Sequence, residues 1–142
     1  MTTINTYLTF NGNCREAFEF YRSVFGGEFS FISTFGDMPS QEGYKMSETD
    51  NDKIMHVTLP ISKETALMGS DTSEHYEKAT VGDNFSISIH TDTKEEADRL
   101  YAGLSKNGKQ SMPMENTFWN SYFGMLTDQF GINWMVSVDI GK

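Results

Sequence analysis

The chain has 142 residues, 20 acidic and 11 basic side chains, a net charge of −9 and one cysteine. That length supports a single core-bearing domain, and the charge excludes nucleic acid and an anionic membrane surface, which need clustered Lys and Arg. No apolar run approaches the ~20 residues of a membrane helix, the opening MTTINTYLTF lacks the regions of a signal peptide, and a lone Cys14 allows no internal disulfide, so the expected compartment is the cytoplasm.

Ile4 to Phe10 alternates, with Ile4, Thr6, Leu8 and Phe10 against Asn5, Tyr7 and Thr9, the period of a strand. Asn13 reads as a helix N-cap, with Glu16 completing a capping-box pair. Ala17, Phe20, Tyr21 and Val24 then mark one helix face, and Gly26-Gly27 stops it. Glu28 to Phe35 reads as a second strand. Gly36 to Lys53 is long, polar and aperiodic, either a plain loop or a lid.

Ile54 to Ile61 reads as a third strand, with Met55, Val57, Leu59 and Ile61 on one face and His56 and Thr58 on the other. Glu64 to Asp71 is a fourth. Thr72 to Asp83, containing His75 and Tyr76, is a connector. Asn84 to His90 alternates again, Phe85, Ile87 and Ile89 against Asn84, Ser86, Ser88 and His90. Thr93 and Glu96 form a second capping box, Ala97, Leu100, Tyr101 and Leu104 a second helix stripe, and Gly108 ends it. Lys109 to Thr117 is extended. Tyr122 to Thr127 and Asn133 to Asp139 form a hairpin around Asp128-Gln-Phe-Gly131, where Asp bonds its own backbone two residues on. Trp134, Val136 and Val138 share one face of its second strand.

The order strand, capped helix, glycine stop, extended segments occurs twice, so the chain reads as a duplicated β-α-β-β-β unit. Residues 1–71 are one module, 72–83 a connector and 84–142 the other, within one domain 1–142. The mixed polar strand faces (Asn5, Tyr7, Thr9; His56, Thr58; Asn84, Ser86, Ser88; Met135, Ser137) would line a cavity between two curved sheets, as a small-molecule site requires. A ferredoxin-like α+β fold is the competing reading, but it uses fewer strands per helix than are present here.

Three stretches carry a family likeness: YLTFNGNCREAFEFYRSVFGGEF, KIMHVTL and TFWNSYFGMLTDQFGINWMVSV. They resemble the PhnB-like branch of the vicinal oxygen chelate superfamily, which includes glyoxalase I, extradiol dioxygenases and the fosfomycin and bleomycin resistance proteins. The resemblance implies an α+β fold of two βαβββ modules forming a cupped eight-stranded sheet (the glyoxalase/bleomycin resistance fold), commonly as a homodimer. Metal-dependent relatives hold an ion with His or Glu on the first and fourth strands of each module. Those positions fall near Asn5, Met68 or Gly69, Asn84 and Met135, which are poor ligands for a hard divalent ion, so no metal and no cofactor is expected. The branch also bears the label 3-demethylubiquinone 3-methyltransferase, yet no Gly-rich strand-to-helix turn of the Rossmann kind is present.

His56 is the leading polar candidate: it can hydrogen-bond a ligand, act as a base, or serve structurally. Thr58, Tyr7, Asn5, Asn84 and Met135 share the inner-face assignment, and Trp119 can stack on a planar ligand or pack. No catalytic residue is assignable. Cys14 begins a helix and reads as buried or capping; His90, Asp92, His75 and Asp71 read as turn or connector residues. The expected function is metal-free binding or sequestration of a small, partly aromatic or amphipathic molecule. The alternative is a glyoxalase-type lyase or isomerase with a non-standard site around His56; a third possibility is a filled cup that holds nothing.

Overall fold

In a computed structural model, which describes residues 2–37, 48–73 and 77–140, the chain divides into two compact units, Met1–Thr80 and Val81–Lys142. The first holds β1 (Thr6–Phe10), α1 (Cys14–Phe25), β2 (Phe31–Thr34), a 3₁₀ turn (Phe35–Asp37), α2 (Glu48–Asn51), β3 (Ile54–Pro60) and β4 (Ala66–Asp71). The second holds β5 (Ile87–His90), α3 (Lys94–Ser105), β6 (Lys109–Asn116), β7 (Ser121–Thr127) and β8 (Asn133–Asp139). The sheet orders are β1-β4-β3-β2 and β5-β8-β7-β6. In each, the first strand runs parallel to the last and the other pairs are antiparallel. The fold is therefore α+β, one βαβββ topology used twice.

In the first unit α1 covers one sheet face. Its buried stripe is Cys14, Ala17, Phe18, Tyr21 and Val24, against Leu8, Phe10, Val57, Leu59 and Leu67. Phe18 rather than Phe20 anchors that stripe, correcting the expected face; it meets Phe10 and Tyr21 edge-on, at 6.2 Å and 5.6 Å between ring centroids. Each such side chain, fully buried, contributes about 1.5–3 kcal/mol. Gly69 is required beneath it: a Cβ there would sit 2.6 Å from the Phe18 ring and 2.8 Å from the Leu8 carbonyl oxygen.

Asn13 makes no side-chain capping bond. Instead, Asp71 at the end of β4 accepts from the backbone N–H groups of Gly12 and Cys14, both at 2.9 Å, and from Ile54 N–H at 2.9 Å. One buried carboxylate thus ties together the helix start, β3 and β4. Burial, then the Asp71 charge, raise the pKa of the Cys14 thiol well above its usual range.

Several strand limits differ from the expected ones. β1 begins at Thr6, and Ile4 is fully solvated. β2 is four residues long because Phe35 turns into the 3₁₀ segment. In β3 the pairing jumps from Ser33↔His56 to Thr34↔Ile54, leaving Met55 as the extra residue of a bulge. The bulge puts Ile54 in the core in place of Met55, while Ile61 is exposed past the strand end. The middle of the 36–53 segment, residues 38–47, lies outside the described residues, as do His75 and Tyr76.

The second unit repeats the scheme with Ala97, Leu100, Tyr101 and Leu104 buried on α3 against Leu126, Trp134, Val136 and Val138. Thr93 Oγ1 accepts from Glu96 N–H at 3.1 Å; the Glu96 carboxylate goes to Arg99, so only half of the capping box forms. Tyr101 donates its hydroxyl to the carbonyl of Met112 at 2.6 Å, locking α3 to β6. The helix ends at Ser105, with Asn107 at φ 59 taking the left-handed position. β5 starts at Ile87, so Asn84, Phe85 and Ser86 are not strand residues, and Phe85 is exposed.

Candidate functional site

The face of the first sheet opposite α1 gathers three of the predicted site residues. Pairing register places Tyr7 beside Met68, Met68 beside Thr58 and Thr58 beside Phe31, one row across all four strands. His56 sits one step along, directly opposite Ser33. These residues face this way because successive strand side chains alternate and Leu8, Val57, Leu59 and Leu67 take the α1 side.

His56 is the hub. Its Nε2 lies 2.8 Å from Thr58 Oγ1, and its Nδ1 3.5 Å from the Tyr7 hydroxyl oxygen. Its ring centroid is 5.7 Å from that of Tyr7 and 5.7 Å from that of Phe31. Tyr7 is 47% and Phe31 52% exposed, while His56, Thr58 and Met68 are half-buried between them. Ser33 Oγ is closed to solvent and has no hydrogen-bond partner among the described residues. The arrangement offers two aromatic rings at the sheet edges and a floor of thioether, hydroxyl and imidazole.

The other predicted residues stand elsewhere. Asn5 lies before β1, its Oδ1 accepting from Ala66 N–H at 3.3 Å. Asn84 is exposed ahead of β5. Met135 is half-buried on β8, paired with Ser88 and Met125. Trp119 is 54% exposed at the β6–β7 turn, stacked edge-to-face with Phe118 at 4.9 Å. Phe31 and Ser33 were missed by sequence reasoning, and Met68 entered it only as a position near a metal ligand of relatives. The Phe31/Ser33 alternation within FIST was the available signal for the first two.

The donor set does not suit a hard divalent ion. Asn5 and Asn84, expected at first-strand ligand positions, lie ahead of β1 and β5 instead, and among the described residues no group of three His, Cys, Asp or Glu side chains could hold a metal. Asn5 already spends its carbonyl oxygen on the backbone. Among the described residues no helix is long and apolar enough to cross a membrane.

Residues 2–137 match the family model described as 3-demethylubiquinone-9 3-methyltransferase, and the chain belongs to that PhnB-like family. Protein YjdN of Escherichia coli K12 is 31% identical over 144 residues, covering 95% of this chain and 94% of that protein. The crystal structure of PA1353 from Pseudomonas aeruginosa is 41% identical, with a TM-score of 0.85 and 98% of each chain covered. A Bacillus cereus structure titled putative 3-demethylubiquinone-9 3-methyltransferase, PhnB protein, is 26% identical, with a TM-score of 0.72 and 96% and 99% of the two chains covered. At 17% identity and a TM-score of 0.61, covering 94% of this chain and 97% of the other, a glyoxalase/bleomycin resistance protein/dioxygenase family enzyme from Burkholderia phytofirmans PsJN shares the fold.

Proposed function

We propose that this chain binds or sequesters a small, partly aromatic or amphipathic molecule, without a metal or cofactor, on the face of the first sheet carrying Tyr7, His56 and Thr58. One observation carries this reading: the hydrogen-bonded His56–Thr58 pair is flanked by the exposed rings of Tyr7 and Phe31, with the Tyr7 hydroxyl turned to the imidazole. Apolar walls with a few placed polar groups are the usual composition of a ligand site. Met68 adds a side chain that adapts to varied shapes. The family name supplies no reaction here, since the strand-to-helix turn Asn11-Gly12-Asn13 is occupied by the Asp71 staple.

A glyoxalase-type reaction would ask His56 to exchange a proton with substrate. Both of its ring nitrogens face protein hydroxyls, which favours a binding role over a basic one. Further parts of the proposal are a homodimer and a cytoplasmic location, supported by the family resemblance and by a single, buried cysteine.

A thermal-shift screen of small aromatic molecules against the tag-free protein tests the reading. Stabilisation by members of such a set, abolished in His56→Ala, is expected. Stabilisation by Zn, Ni or Fe alone, with stoichiometric metal lost on His56→Ala, would transfer the case to the enzyme.

A further inference from the structure

The second sheet carries a row of thioethers. Pairing register sets Met112 on β6 opposite Met125 on β7, and Met125 opposite Met135 on β8. Three adjacent strands thus present one methionine each at the same level, and side chains paired in this way share a face. It is the face away from α3, because Leu126, Trp134 and Val136, their neighbours in the chain, are buried on the α3 side. Met112 is 42% exposed, and Met125 and Met135 are half-buried.

The backbone under this row is fixed. Tyr101, reaching from α3, donates its hydroxyl to the carbonyl of Met112 at 2.6 Å and to that of Met125 at 3.2 Å. The pairing of β6 slips on both sides of Met112, yet Met112 itself stays opposite Met125. Bulges of this kind re-aim side chains next to functional sites. Opposed Cβ atoms stand about 5 Å apart, and three rotatable bonds let the outer two thioethers lean over the middle one. Ser88 on β5 completes the row, which holds no carboxylate and no imidazole. Thioether sulfur is a soft donor, unsuited to the hard divalent ions considered above and suited to copper(I). The chain's one thiol, Cys14, lies fully buried on α1 in the first unit, out of reach of a metal ion.

We infer that Met112, Met125 and Met135 form a binding site for a soft monovalent metal ion, copper(I), on the face of the second sheet away from α3. The inference is independent of the aromatic-ligand role of the first sheet, which needs no metal, so either can fail alone. The test titrates silver(I), an equally soft monovalent ion with no redox change, into the full chain carrying methyl-labelled methionine, followed by NMR. The methyl signals of these three residues are expected to shift together and saturate at one equivalent, while the Trp134 indole signal keeps its native position. Met125→Leu and Met135→Leu keep the apolar volume and remove a sulfur, so each is expected to lower silver affinity about tenfold or more. Zinc(II) is expected to leave the three signals unmoved. Silver shifts concentrated on other methionines, affinity retained in both leucine variants, or affinity lost in Cys14→Ala would each overturn the site. A zinc response equal to that of silver would overturn the choice of a soft ion.

Discussion

Asp128 Oδ2 accepts the indole N–H of Trp134 at 2.8 Å, across the turn that joins β7 to β8. The other carboxylate oxygen accepts from Phe130 N–H at 2.8 Å and Ile132 N–H at 3.1 Å. The Asx turn legible in the sequence is therefore also the anchor of the second unit's largest buried side chain. Asp128→Ala strands an indole N–H and two turn amides beside a buried site. It is expected to cost about 3 kcal/mol by urea unfolding; a loss below about 0.5 kcal/mol, the scale of an ordinary surface change, would contradict this role.

The two helix starts give opposite forecasts. Thr93 caps α3 itself, so Thr93→Ala is expected to cost about 1 kcal/mol. Asn13 caps nothing, so Asn13→Ala should stay within about 0.5 kcal/mol. Asp71→Ala, which leaves three N–H groups without their acceptor, should exceed both at about 3 kcal/mol. Denaturant curves that ranked Asn13 above Asp71 would show the cap to be local after all.

Cys14 links stability to alkaline pH. Its folded pKa is raised above the ordinary value of an unfolded thiol, chiefly by burial and then by Asp71. The unfolded chain therefore loses the thiol proton first, and the stabilising contribution, intact below that unfolded value, declines as pH rises above it. Cys14→Ala should flatten this alkaline limb. The native thiol should also resist iodoacetamide at pH 8 and react once unfolded. Rapid labelling of the native protein would refute the burial argument.

Close helix-to-sheet approach depends on two glycines. Alanine at Gly69 would press on the Phe18 ring and the Leu8 carbonyl; at Gly124 it would press on Met114 Sδ and the Tyr101 ring. Each is expected to cost about 1–3 kcal/mol in thermal or chemical unfolding. Wild-type stability in Gly69→Ala would mean that α1 stands further from the sheet.

Much of the fold was written in local periodicity. The duplicated stripe on α3, the Trp134–Val136–Val138 face and the hairpin around Asp128–Gly131 all follow from spacing and turn residues alone. What spacing could not supply was long-range. Asp71 caps a helix that begins 57 residues earlier in the chain, and nothing near Asn13 announces it. The Met55 bulge shifts one residue of an otherwise regular pattern, because the partner strand pairs past it. The site was half legible. The alternation of β1 and β3 put Tyr7, His56 and Thr58 on one face, but only the strand order brings Phe31 and Met68 into their row. Asn84 was placed by an alternation that stops short of it, β5 beginning at Ile87, and Trp119 by its ring alone.

The most direct measurement is NMR chemical-shift mapping of the full chain against a small aromatic library, following the His56 imidazole and the Thr58 and Met68 methyl groups. The account predicts saturable shifts concentrated on those three residues and Phe31, lost in His56→Ala while the Trp134 indole signal keeps its native position. Shifts clustered elsewhere, at Trp119 for example, or none on this row with any compound, would contradict it.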